Sequence, residues 1–120
     1  MPKYETTLKI RARERVPDLR SILEGLYYRK PQLAKKAEKF IDTLVERKRL
    51  PAEEWEAMQH ELGSSHGEYY TMLAKLRDAG MISKKDGSWI VSEQFANRCH
   101  EMGDIWNAFV RRWRADGGRA

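Results

Sequence analysis

Four side chains in this 120-residue chain are soft metal-ligand types: His60, His66, Cys99 and His100. A structural or catalytic zinc needs three or four such groups converging on one point. Cys99 and His100 are adjacent, so on a helix of 3.6 residues per turn they point about 100° apart. No C-x-x-C or H-x-x-x-H spacing brings a second pair together. The chain also lacks a phosphate-cradling glycine loop and an H-E-x-x-H pair, and no nucleophile elbow is expected. Glu53 and Glu54 are neighbouring carboxylates at the start of a helical run, where the helix dipole is reason enough for them. Catalysis, a metal and a cofactor are therefore not expected. The chemistry that remains is charge. Residues 1–50 hold 14 Lys/Arg against 7 Asp/Glu, and residues 51–120 hold 9 against 11, within a net charge of +5. A basic half suits an anionic partner such as nucleic acid.

The composition bounds the scaffold that carries this charge. With 41% hydrophobic and 10% aromatic residues, the chain has one domain's worth of core. Cys99 is the only cysteine, so no intramolecular disulfide forms and a reducing cytoplasm is expected. No apolar run approaches the roughly 20 residues of a membrane span. The start, MPKYETTLKIRARERV, has no signal-like apolar stretch.

Tyr4 to Ile10 alternates and reads as a strand or an extended arm. Asp18 is placed to cap a helix with Leu19, Ile22, Leu23, Leu26 and Tyr27 on one face. Pro31 opens the next, amphipathic helix, with Leu33, Ala37, Phe40, Ile41, Leu44 and Val45 facing in and Lys35, Lys36 and Lys39 facing out. Pro51 opens a third, PAEEWEAMQHEL, with Trp55, Met58 and Leu62 inward and Gly63 as a left-handed cap. Two residues later, Ser65 and Glu68 form an S-x-x-E capping box. The helix that follows buries Tyr69, Met72, Leu73 and Leu76 and stops at Gly80. Two short apolar pieces, MIS and SWIV, then flank Lys84-Lys85-Asp86-Gly87, a hairpin turn signal.

The phrase LAKLRDAGMI followed by KKDGSWIVS resembles the winged helix-turn-helix superfamily of small bacterial and archaeal transcription regulators. The resemblance covers roughly residues 33–115 and is most specific over 62–92. It implies a mainly α fold with a small β-hairpin: N-terminal helices, a helix-turn-helix, a wing and a long C-terminal helix. The chain is expected to divide into a basic arm and helix (1–30), which the resemblance does not explain, the winged helix-turn-helix (31–92), a dimerisation helix (93–115) and a disordered tail (116–120). The B-DNA major groove admits one α-helix. The resemblance implies a recognition helix offering Ser64, Ser65, His66, Gly67, Tyr70, Thr71 and Lys75 to the groove, with Lys84 and Lys85 at the wing tip. Residues 51–83 carry few cations, so phosphate attraction is expected from Arg11, Arg13 and Arg15 and from Lys35, Lys36 and Lys39.

The last helix, capped by Ser92, places Phe95, Cys99, Met102, Trp106, Phe109 and Trp113 at alternating spacings of four and three, an a/d seam. Such a helix in this superfamily commonly pairs with its symmetry mate. The function expected is double-stranded DNA binding by a homodimer, most simply transcription regulation. An architectural, replication or partition role on DNA, or a winged-helix module that binds protein, are the alternatives.

Overall fold

The computed structural model describes residues 7–9 and 18–119. The expected strand or arm over Tyr4–Ile10 lies largely outside them, as do Arg11, Arg13 and Arg15. Among the described residues five α-helices and a three-stranded antiparallel sheet follow one another: α1 (Leu19–Leu26), α2 (Gln32–Arg47), β1 (Leu50–Pro51), a 3-10 turn (Ala52–Glu54), α3 (Trp55–Leu62), α4 (His66–Ala79), β2 (Ile82–Lys85), β3 (Ser88–Val91) and α5 (Gln94–Ala115).

Helix α2 is the hub of the core. Its Leu33, Ala34, Ala37, Phe40 and Leu44 are buried against α1, α3, α4, β1 and β3. Val45, expected on the same face, is 52% exposed, because it sits at the edge of the stripe beyond the reach of its neighbours. Helix α1 starts where Asp18 accepts the Ser21 N–H, which holds its carboxyl below the ordinary value, and Arg20 pairs with Glu38 of α2 at 2.7 Å. Tyr27, at the end of α1, donates its hydroxyl to the Met72 carbonyl at 2.7 Å and so ties α1 to α4. Burial pushes the Tyr27 phenol up, and that of Tyr69 up to about 12.

Residues 7–9 dock on α1. Leu8 packs against the core, and the Lys9 N–H donates to the Gly25 carbonyl at 3.0 Å. That carbonyl belongs to the last turn, where no intrahelical donor remains for it. A Cβ on Gly25 would collide with the Lys9 carbonyl, so this close approach requires glycine.

The sheet contains a strand that periodicity does not reveal. Leu50 and Pro51 pair with Trp89 and Ser88, giving the order β1-β3-β2. Pro51 has no N–H to give, and an edge strand tolerates that. The first residues expected in the third helix are thus a strand end and a 3-10 turn, and α3 proper begins at Trp55. In that first turn Trp55 lies beyond the end of the core. It is 40% exposed, contrary to the expected inward placement, while Met58 and Leu62 are buried as expected.

Lys48, which closes α2, takes φ +73°, a left-handed value that costs an L-residue about 1–2 kcal/mol. Lys48→Gly should therefore raise stability by roughly 0.5–1 kcal/mol, after allowing for glycine's greater unfolded-state freedom. Urea denaturation checks this, and a lower midpoint would contradict it.

The molecule is longer than a compact chain of its size. Its radius of gyration is 17.1 Å, with extents of 58 × 32 × 29 Å. A compact 120-residue domain would have a radius near 14 Å. The 22-residue α5, about 33 Å long, accounts for the excess. Ser92 does accept the Gln94 N–H, at 3.2 Å, although Glu93 is the N-cap residue. At the other end Gly117 donates to the Arg114 carbonyl and Gly118 to that of Trp113, a Schellman pair. Asp116 to Gly118 thus cap the end of α5.

Candidate nucleic-acid interface

The turn from α3 to α4 is built from local signals. Gly63 takes φ +66° and donates back to the last turn of α3. Ser65 then accepts the Glu68 N–H at 3.1 Å while Glu68 accepts the Ser65 N–H at 3.0 Å, completing the capping box. The Ser65 N–H, and after it Lys36, hold the Glu68 carboxyl below its ordinary value. Helix α4 ends at Gly80, whose φ of +85° directs the chain into β2.

With Tyr69, Met72, Leu73 and Leu76 buried, the helical repeat puts Gly67, Thr71, Ala74 and Asp78 along the middle of the outer face. Tyr70 borders it on one side and Lys75 on the other. Ahead of Asp78 the side chains on this face are small, and nothing lies within 4 Å of a Cβ added to Gly67. Ser64, Ser65 and His66 gather at its N-terminal end. There an open groove of ≈ 490 Å³ is lined by Trp55, Glu56, Gln59, His60, Gly63 and Ser64. The Trp55 and His66 rings meet edge to face at its rim, with centroids 5.3 Å apart.

The cations expected at this site divide into two groups. Lys84 and Lys85 are exposed on β2, next to a turn in which Asp86 and Gly87 both have positive φ, the I′ geometry that suits a two-residue hairpin. Lys84 and Arg77 of α4 converge on the Trp89 ring, at 5.5 and 5.9 Å from its centroid. Other cations face the protein. Lys75 is half-buried, with its ammonium 5.8 Å from the Tyr27 ring. Lys36 pairs with Glu68 at 3.4 Å and donates to the Gly63 carbonyl at 3.1 Å, and Lys39 donates to the Glu61 carbonyl at 3.2 Å. Lys35 is exposed. So Lys36 and Lys39 brace the α3–α4 turn from behind.

Two members of the surface escape the sequence reading. Ala74 carries no chemistry, and only its place on the bare helix face marks it. Arg77 is joined to the hairpin through Trp89, a helix-to-strand contact that no local spacing reports. Among the described residues, no three His, Cys, Asp or Glu side chains are placed to share a metal, and no helix is long and apolar enough to cross a membrane.

No curated protein and no solved structure matches the chain. One family model does, over residues 17–112, from the residue before the α1 cap to the last turn of α5. That span is most of the chain and takes in α1 to α4, the sheet and nearly all of α5, so the protein belongs to this family, described as an archaeal family.

Proposed function

We propose that the protein binds double-stranded DNA through a winged helix-turn-helix, with α4 in the major groove and the β2–β3 hairpin as the wing, and that it acts as a dimeric transcription regulator. The observation that carries this reading is the outer face of α4. Over its first turns it is a stripe of small side chains, with Asp78 only in the last turn, opened by a capped tight turn and followed at once by a lysine-bearing hairpin. The N-terminal turns of a recognition helix come close to base edges, and small side chains there leave room for that approach. The pairing of β1 with β3 supports the assignment, because it anchors the hairpin to the core so that its turn can project.

Gly67→Ala is the discriminating variant. The added methyl meets nothing in the protein, and alanine is favoured over glycine in a helix by about 1 kcal/mol. Stability should be unchanged or slightly higher, while affinity for a preferred duplex should fall about tenfold or more. Sites selected from a random duplex library and titrated by fluorescence anisotropy provide the measurement. Unchanged affinity would remove the start of α4 from the interface. Failure to select any duplex, with binding insensitive to salt, would favour a protein partner in the groove beside Trp55.

A further inference from the structure

Among the described residues, helix α5 is attached to the rest of the molecule by its first turns. Phe95 packs against the core, its N–H donates to the Gly80 carbonyl at 2.9 Å, and Arg98 donates to the Asp78 carbonyl at 2.7 Å. Beyond that, Met102, Ile105, Trp106, Phe109 and Trp113 are 45–68% exposed, along one face of a free helix. They offer roughly 500 Å² of apolar surface per chain, so a self-pair would bury about 1,000 Å², the threshold for a specific interface.

The charges along α5 select both the occupant and its direction. Glu101 and Asp104 precede the centre of the seam, whereas Arg111, Arg112 and Arg114 follow it. Two parallel copies would set the arginine clusters side by side. Two antiparallel copies separate them and bring each toward the other's acids, with the helix dipoles opposed. Glu101 and Arg112 are about three turns apart and so share one edge of the seam. A two-fold axis perpendicular to the helices brings that edge of one copy against the same edge of the other. Each Glu101 then faces the second copy's Arg112.

We infer that α5 pairs with α5 of a second copy in antiparallel orientation, with Met102 opposite the second copy's Trp113 and Trp106 opposite its Phe109. The same register sets Ile105 opposite Val110, so the whole exposed seam is covered by itself. It also fixes a length. The two Phe95 anchors lie about 25 residues apart along the pair, roughly 37 Å. That is close to the 34–36 Å between successive half-sites on one face of DNA. The pairing stands on α5 alone, while its use as a spacer one helical turn long rests on the duplex-binding reading.

Cys99, exposed and the only cysteine, provides the test on the otherwise native chain. With a nitroxide on Cys99, the antiparallel register separates the two labels by about 17 residues, roughly 26 Å along the pair. Parallel pairing would place them side by side, within about 15 Å. Pulsed dipolar spectroscopy at tens of micromolar should give the long distance, and Trp106→Glu should abolish the coupling and yield a monomer by light scattering. Glu101→Arg should weaken the dimer about tenfold, and adding Arg112→Glu to it should restore the affinity, as only the antiparallel edge contact predicts. A short distance, or a Cys99–Cys99 disulfide on mild oxidation, would overturn the antiparallel register and leave duplex binding untouched. A monomer under these conditions would overturn the pairing itself. The long distance in a protein that selects no duplex would uphold the pairing and refute the DNA reading.

Discussion

Phe40→Ala should lower the stability of the domain by about 3–5 kcal/mol. Phe40 is fully buried in the middle of α2, and its ring meets that of Tyr69 in α4 edge to face at a centroid distance of 6.2 Å. Truncation removes the transfer energy of the ring and leaves a cavity that several surrounding elements cannot all close. The aromatic pair adds about 0.5–1.5 kcal/mol beyond area alone. Small domains are stable by only about 5–15 kcal/mol, so the loss is a large share of the whole. The contrast is Trp106→Ala. Tryptophan is the larger side chain, yet Trp106 is 68% exposed in a single copy, and its loss should barely change the unfolding free energy of a monomer. Guanidinium denaturation over a range of protein concentrations separates the two. The Phe40→Ala loss should be independent of concentration, whereas any Trp106→Ala loss should grow with it, because it acts through association. A Phe40→Ala loss under 1 kcal/mol would mean that α2 is not the hub of the core.

What was legible in the sequence depended on how local its cause is. The stripe of α2, the Ser65–Glu68 box, the left-handed caps at Gly63 and Gly80 and the Asp86–Gly87 turn each arise within a few residues, and the structure has all of them. Strand β1 did not show, because two residues have no period and Pro51 suggests a helix start as readily as an edge strand. Trp55 fits the spacing of an inward residue, but whether core extends to its position is a tertiary fact. For the candidate site, the resemblance pointed to the outer face of α4 and to Lys84 and Lys85, both of which the structure leaves exposed on the hairpin. It could not show that Lys36 is paired with Glu68 or that Arg77 shares Trp89 with Lys84, since those contacts join separate elements. The seam of α5 was legible as a seam. Its exposure in a single copy required the structure.

The charge of the N-terminal segment yields the second large expected effect. Residues 51–120 are net negative, at 9 Lys/Arg against 11 Asp/Glu, so an approach to DNA needs cations from the first half of the chain. Of the helix lysines expected to help, Lys36 is paired with Glu68 and Lys39 is directed to the Glu61 carbonyl. The burden therefore shifts to Arg11, Arg13 and Arg15 and to exposed Lys35, together with Lys84, Lys85 and Arg77 near the hairpin. Deleting everything before Val16 would be a poor test, although the segment lacks an obvious core pattern in sequence. It would also remove Leu8 from the core and the Lys9 N–H from the end of α1. Replacing Arg11, Arg13 and Arg15 together by Gln changes the charge and keeps both contacts. The melting temperature should hold. Affinity near 0.15 M salt should fall about fivefold for each lost phosphate contact, on the order of 100-fold per bound chain if all three make one. The slope of log K against log salt should become shallower by about 0.9 per contact, on preferred and random duplexes alike, because phosphate contacts carry no sequence information. An unchanged slope would place the phosphate contacts on the hairpin, where Lys84→Gln and Lys85→Gln should then reduce it. If neither set moves the slope, the electrostatic account of binding fails.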